Sequence, residues 1–361
     1  MNWKKVVSVL LVSAMTLSMA ACGDTASTSD NAAAGTETKG STANASSDEK
    51  LVVWTLSNDL IDFGKRFQEQ TGVEVDTVVI EPADYPTKVQ TALLAGEKEP
   101  DIIVGEPKML EDFFDAGFFE DLNQAPYNAQ DYADQIVDYV WQVGQDDDGI
   151  QRAISYQITP AGIYYRRDIA KEVFGTDDPE KIGEKVKDWD TLKKSAEQLK
   201  AKGYYTFSSY ADTFRLYGNS ISKSWVTPSD SQDTTVDVDS KVMDWINDSK
   251  QWLDAGYFDK TVKGQWNDDW NKAMGSKSKV FAFLLPAWGI DFTLKPNWDG
   301  KEGEWGVTNP PQEYNWGGSY IHAATGTDNT KHAKEIILAL TANKDNLLKI
   351  SEKYSDFTNT K

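Results

Sequence analysis

The chain has 361 residues, enough for about two domains, and its 40% hydrophobic and 12% aromatic content is that of a folded protein rather than a disordered one. With 37 basic against 57 acidic residues the net charge is −20, which repels a phosphate backbone and argues against nucleic-acid binding through a basic surface. One cysteine and two histidines, His322 and His332, exclude an intrachain disulfide and a thiolate zinc cage. They also leave little for histidine-based metal sites or histidine-relayed nucleophilic catalysis.

The N-terminus reads as an address. Lys4 and Lys5 precede a mostly apolar run, Val6 to Met19, that is too short to span a bilayer comfortably. Residues 1–21 therefore read as a signal peptide. Ala20-Ala21 stand before the lone Cys22, and small residues before a lone cysteine resemble the lipobox of bacterial lipoproteins. There the thiol is acylated and the cysteine becomes the new N-terminus; Met19 departs from the leucine usual in that motif. Cleavage would remove two lysines and leave the mature chain at −22. Beyond Cys22, residues 23–47 contain only Gly, Ser, Thr, Ala, Asn, Asp, one Glu and one Lys. Such a segment cannot offset its ordering entropy, so 22–47 is expected to be a flexible tether reaching roughly 25–30 Å.

The body alternates strand and helix signals. Leu51-Val52-Val53-Trp54 predicts a strand, and Asn58 can cap a helix carrying Leu60, Phe63 and Phe67 at helical spacing, closed by Gly72. Val73 to Ile80 predicts a second strand, Tyr85, Val89 and Leu93 a second helix, and Ile102-Ile103-Val104 a third strand. This βαβαβ order implies a mostly parallel sheet covered by helices, with ligands at the strand exits 54–58 and 105–108. A second α/β region follows. It has a strand over 162–166, helices from Asp168 and around Leu192, Ala196 and Leu199, and a TFSS strand. Val242, Trp245, Ser249 and Trp252 share one face of a long helix, Val280 to Leu285 is an apolar strand running into Pro286, and a helix is expected over 332–342.

Several segments together carry a resemblance. LVVW at 51–54, FGKRFQEQTGVEV at 63–75, PDIIVGE at 100–106, AGIYYRRDIAKEVFG at 161–175 and DWDTLKKSAEQLKAKG at 188–203 come first. WNKAMGSKSKVFAFLLPAW at 270–288, NPPQEYNWGGS at 309–319 and HAKEIILALT at 332–341 follow in the same order. Over most of residues 50–345 the chain resembles a bacterial extracellular solute-binding protein of a carbohydrate ABC importer, of the maltose-binding-like group. The resemblance implies two α/β lobes of the periplasmic-binding-protein type, each a mostly parallel sheet flanked by helices, joined at a hinge and closing on ligand by hinge motion. Lobe 1 is expected over 48–157 and 312–361 and lobe 2 over 158–311, with crossings near Gln157–Gly162 and Thr308–Trp316. The family usually continues some tens of residues beyond the position of Lys361, so the last helices of lobe 2 and a third hinge crossing are expected to be missing.

Thirteen tryptophans point to the ligand. Aromatic faces bury the C–H surface of sugars while carboxylates, amides and guanidinium groups meet the hydroxyls. Trp245, Trp252, Trp189 and Trp141 read as packing residues. Trp288 follows a buried strand and Pro286 and matches a family position that stacks on sugar. Trp316 precedes Gly317, where backbone can approach a ligand closely. Trp54 could belong to core or cleft. Polar candidates are Asn58, Asp59, Glu106 and Lys108 at the strand exits, Tyr156, Gln157 and Thr159 beside the first crossing, and Tyr210, Asp212 and Arg215 after TFSS. Each could instead be a cap or a solvated charge. Trp266, with Asn267 and Asp268, opens a helix and could either cap or bind.

Asp146-Asp147-Asp148-Gly149 would need an acidic residue at Gly144 and a glutamate at Ser155 to be a calcium loop, so it reads as a turn. No P-loop, G-x-S-x-G or H-E-x-x-H motif is present. The expected protein is a lipid-anchored receptor on the extracellular side of the membrane. It would be monomeric and without metal, cofactor or catalysis, and would deliver an oligosaccharide to permease subunits. The alternatives are a secreted glycoside hydrolase, since paired carboxylates are not excluded by sequence spacing, and the same fold holding a non-sugar solute.

Overall fold

The computed structural model describes residues 50–361 apart from 97–98, 111–112, 115, 222–224 and 228–234. The signal peptide, Cys22 and the tether lie outside the described residues. The strands in chain order are β1 (Leu51–Thr55), β2 (Val75–Val79), β3 (Ile102–Gly105), β4 (Ile154–Ser155), β5 (Gln157–Ile158), β6 (Ala161–Arg166), β7 (Val226–Thr227), β8 (Thr235–Val236), β9 (Ala282–Pro286), β10 (Trp305–Thr308), β11 (Tyr320–Ala323) and β12 (Phe357–Thr358).

The first sheet has the order β2-β1-β3-β11-β4. β1 pairs in parallel with β2 and β3, Leu51 opposite Val75 and Val53 opposite Ile102, while β11 runs antiparallel to β3 and β4. Parallel pairs need crossover connections, and the Asp59–Thr71 and Tyr85–Ala95 helices supply them. Leu60, Phe63 and Phe67 bury their common face, and Gly72 closes the first helix at φ +79°, a left-handed cap that glycine adopts without Cβ strain. Alternation splits β3 between two cores. Ile102 and Val104 pack with Phe63, Phe67 and Ile336, whereas Ile103 packs with Tyr85, Val89 and Phe119.

The second sheet, β10-β6-β9, is antiparallel in both ladders. This departs from the parallel arrangement expected there. The TFSS segment makes only single parallel bridges, Tyr205 to Val280 and Phe207 to Phe258, so it never becomes a full strand. β9 starts two residues later than expected and ends on Pro286, opposite Ala161. Its alternation again serves two cores, Leu284 facing Leu199 and Phe207, and Phe283 and Leu285 facing Trp270. The long helix spans Ser240–Ala255, with Val242 and Trp252 buried and Trp245 half-buried.

The chain passes between the sheets twice, and the two passages lie side by side. Ala161 N donates to Tyr314 O (3.1 Å) and Trp316 N to Thr159 O (3.1 Å). A third segment joins them, because β12 pairs antiparallel with β5. The Gln157 side chain ties all three: its amide donates to Asp356 and its Oε1 accepts from Ser319 N at 2.9 Å. Asp146 accepts from Ile150 N and pairs with Arg152 (2.8 Å each), so 146–149 is a turn. Among the described residues no cluster of three His, Cys, Asp or Glu side chains could hold a metal, and no helix is long and apolar enough to cross a membrane.

Candidate functional site

β9 ends where Pro286 can no longer serve as a ladder donor. Ala287 N donates to Pro160 O (3.1 Å), and this carries Trp288 to the paired crossings. Its Nε1 donates to Trp316 O at 2.9 Å. Trp288 belongs to an aromatic group. Trp266 lies parallel to it (14°, centroids 6.3 Å apart), while Phe292 (5.6 Å, 82°) and Trp316 (5.8 Å, 75°) meet it edge to face. Trp266 also meets Trp316 at 5.6 Å and 79° and Trp270 at 4.9 Å. The group grades outward: Trp316 is 2% exposed, Trp288 is half-buried, and Trp266 and Phe292 are 49% and 55% exposed. Aromatic surface this open beside a packed floor marks an interaction site rather than a core.

Two charged groups border it. The Arg215 guanidinium lies over the Trp316 ring, 4.0 Å from its centroid. Glu106, just past the end of β3, comes from the first sheet. Against Glu106 lies the backbone of Gly317, at φ +74°, where a Cβ would stand 3.0 Å from Glu106 Oε1 and 3.6 Å from Trp288 Cζ2. The dihedral favours glycine there, and a Cβ would also crowd the end of the Glu106 side chain. Burial pushes the Glu106 carboxyl upward, with Arg215 and Lys108 pulling it back. Burial likewise lowers Arg215, with Glu106 opposing. Each charge thus favours the ionised form of the other, against the larger opposing effect of burial.

Of the residues singled out from sequence, Trp266, Trp288, Trp316, Gly317, Glu106 and Arg215 come together here, with Lys108 exposed beside Glu106. Others are placed elsewhere or spend their polar atoms on the protein. Trp54 is half-buried against the Tyr85 core. Asn58 is exposed and makes no side-chain cap bond. The buried Tyr156 donates to Asp59 Oδ2 at 2.5 Å, and Gln157 is the tie already described. Asp212 is a correction: it is 2% exposed and accepts from Ser208, Ser209 N (3.1 Å), Gln265 Nε2 and Trp270 Nε1 (3.0 Å each). It thus anchors the interior of the second lobe. Tyr210, 41% exposed, lines a hollow of about 240 Å³ with Leu253, Phe258 and Val262. Asn267 caps the Asp268–Ala273 helix, accepting from Trp270 N at 3.0 Å, and Asp268 is exposed. Thr159 Oγ1 donates to Gly317 O at 3.3 Å.

Sequence reasoning missed Phe292, although it stands four residues after Trp288 and its N–H donates to Trp288 O (3.1 Å), a helical spacing that puts both rings on one face. A further hollow of about 470 Å³ lies on the outer side of the first lobe, between Phe67, Leu338, Ala339 and Asn343. Its charged lining is Glu335 alone, and it has no open aromatic face, so it is not the site the aromatic group defines.

Two α/β lobes joined by paired crossings, with an aromatic and charged group at the seam, define a two-lobed solute-binding architecture. Residues 62–361 match the family model of the bacterial extracellular solute-binding proteins, and the chain belongs to that family. Solved structures agree in fold. An extracellular solute-binding protein of family 1 superimposes with a TM-score of 0.73 at 21% identity, over 86% of this chain and 79% of that one. An ABC transporter-associated binding protein from B. animalis subsp. lactis, in complex with β-1,6-galactobiose, gives 0.66 at 22%, over 86% and 76%. The galacto-N-biose/lacto-N-biose I-binding protein of Bifidobacterium longum, in complex with lacto-N-biose, gives 0.68 at 17%, over 86% and 78%. No curated protein matches the chain in sequence.

Proposed function

We propose that this protein is the receptor of an ABC importer, a monomer held on the outer face of the membrane through acylated Cys22, that captures an oligosaccharide between its lobes and passes it to the permease. The observation that carries the reading is the open aromatic group of Trp266, Trp288 and Phe292 on the buried Trp316, with Glu106 and Arg215 beside it. Flat apolar faces receive the C–H surface of a sugar ring, and a carboxylate and a guanidinium receive its hydroxyls. Lobe 1 is taken as 48–157 and 312–361 and lobe 2 as 158–311, a division supported by the membership of the two sheets. Closing the lobes would bury the ring and bring Glu106 toward Arg215. Sugar complexes among proteins of this fold point the same way.

The test is to titrate the mature chain with neutral oligosaccharides, following tryptophan fluorescence and assaying the recovered sugar for cleavage. A saturable shift with intact sugar is expected. Cleaved product would favour the glycoside hydrolase. A response only to charged or non-sugar solutes would replace the oligosaccharide by another ligand in the same cleft.

A further inference from the structure

Asp356 sits where three stretches of chain meet at the seam. It stands immediately before β12, which pairs with β5, and is 8% exposed. Its carboxylate accepts from Phe357 N at 2.9 Å and from the Gln157 amide, and Gln157 Oε1 in turn accepts from Ser319 N. The nearest lysine in sequence, Lys353, is paired with Asp62 instead. The titratable groups that bear on Asp356 are Tyr139, Tyr156, Tyr164, Asp59 and Asp291. Burial raises all three tyrosines, which stay neutral. The two acids come from opposite sides. Asp59 opens the Asp59–Thr71 helix beside the first sheet, and its Oδ2 takes the Tyr156 hydroxyl. Asp291 follows β9 of the second sheet, and its Oδ1 takes Lys295. Asp59 Oδ1 and Asp291 Oδ2 are buried without a partner. Three carboxyl groups thus face one another across the seam with one lysine, on the far side of Asp291, to answer them.

A buried carboxylate with no cation beside it holds its proton. Burial, with the charges of Asp59 and Asp291 adding to it, pushes Asp356 up to about 7 against its two hydrogen bonds. The two flanking acids ride on different lobes, so closing the hinge brings them together around Asp356 and drives water from between them. Both changes disfavour charge on Asp356 further. We propose that Asp356 is a proton-operated latch on the hinge: closing the lobes takes up one proton at its carboxyl, and losing that proton lets them open. This rests on lobe closure, as the receptor reading does, and is independent of the ligand being a sugar. The sign follows from linkage. The closed form keeps a proton that the open form releases, so the closed population is level at low pH and falls as pH rises through about 7 and above. A receptor built this way holds any ligand of its closed form more tightly in mildly acidic surroundings.

The experiment reads lobe separation with no ligand added. Lys88, in the first turn of the Tyr85–Ala95 helix, and Asp269, in the Asp268–Ala273 helix, are exposed and belong to different lobes. The mature chain with Cys22→Ser, Lys88→Cys and Asp269→Cys takes a spin label at each new cysteine, and double electron–electron resonance gives the distance distribution from pH 6 to 9. Circular dichroism and thermal unfolding report whether each variant is folded. The closed-to-open ratio is expected to fall about fivefold or more across that range. Asp356→Asn, which has no proton to release, should hold the ratio constant to within about twofold. Asp291→Asn keeps the latch and removes one flanking charge, so it should move the fall to lower pH; it decides the matter if Asp356→Asn does not fold. His332, bonded to Glu335, is of a type that titrates in a neighbouring range, and His332→Gln should respond as the wild type does. A distribution that is the same at pH 6 and pH 9 overturns the latch. So does a response that survives in folded Asp356→Asn, stays unmoved in Asp291→Asn, or vanishes in His332→Gln. A chain that binds oligosaccharide without this response loses the latch and keeps the receptor reading. A chain that shows the response and binds no oligosaccharide keeps the latch and loses that reading.

Discussion

Trp288→Ala removes a half-buried ring of the aromatic group, and its consequences can be worked from the contacts. The indole has three aromatic partners and one hydrogen bond, 2.9 Å to Trp316 O. Aromatic pairs contribute about 0.5–1.5 kcal/mol each beyond area burial, and a hydrogen bond about 0.5–1.5 kcal/mol net. Neighbouring contacts are not additive, so a loss of about 2–4 kcal/mol in stability is expected, or roughly 3–6 °C in Tm for a chain of this size. If a sugar ring stacks on the same face, the lost stacking and apolar burial together amount to about 3 kcal/mol, close to 10²-fold in affinity. Stability loss alone would not single out a binding role, so Trp298→Ala is the control. Trp298 is half-buried in the same lobe, with Arg166 4.7 Å from its ring centroid and Trp305 at 5.5 Å. Its removal should lower Tm comparably and leave sugar affinity unchanged. Thermal unfolding and calorimetric titration of both variants give the four numbers required. A folded Trp288→Ala that binds within twofold of wild type, or a Trp298→Ala that loses as much affinity, would refute the assignment.

Asp356, beside the Gln157 tie, has its carboxyl pushed up to about 7 by burial and by the charges of Asp59 and Asp291, against the bonds from Phe357 N–H and Gln157. The native state then holds a proton that the unfolded chain has released between about pH 4 and 7. Stability from this group falls as pH rises through that window and is level above it, by on the order of 4 kcal/mol in all. Asp356→Asn should flatten the decline and be the more stable protein at pH 8 in thermal unfolding; a pH profile parallel to wild type would count against it. Gly317→Ala places a Cβ 3.0 Å from Glu106 Oε1 in left-handed backbone; it should cost about 1–2 kcal/mol in chemical denaturation and weaken ligand binding further, and an unchanged titration would show that Glu106 does not border the ligand. Cys22→Ser should move the protein from the membrane fraction to the soluble fraction of expressing cells, and unchanged fractionation would dispose of the lipid anchor.

The position of Trp288 was legible because its signals are local. An apolar strand that runs into a proline must leave the sheet, and the tryptophan two residues on then stands at the exit whatever the rest of the fold does. Of the polar candidates, Glu106 and Arg215 do reach the aromatic group, but the others could not be sorted from sequence, since a buried polar side chain is defined by a partner that distant sequence supplies. The Gln157 amide is consumed by Asp356 and its carbonyl by the Ser319 N–H, neither of which spacing reveals. Asp212 is the instructive intermediate case. Ser209 and Asp212 stand at the separation of a capping box, and the structure shows its Asp212 half at the start of the Tyr210–Gly218 helix, the carboxylate accepting from Ser209 N at 3.1 Å, so the local sequence already argued for a structural carboxylate. What it did not show was Gln265, held by that same carboxylate at 3.0 Å. Through that bond a capping residue in one helix fixes the backbone next to Trp266. The half-exposed indole at the seam therefore depends on an interior aspartate that need never touch the ligand, and loss of the Asp212 carboxylate should act on binding through the position of Trp266.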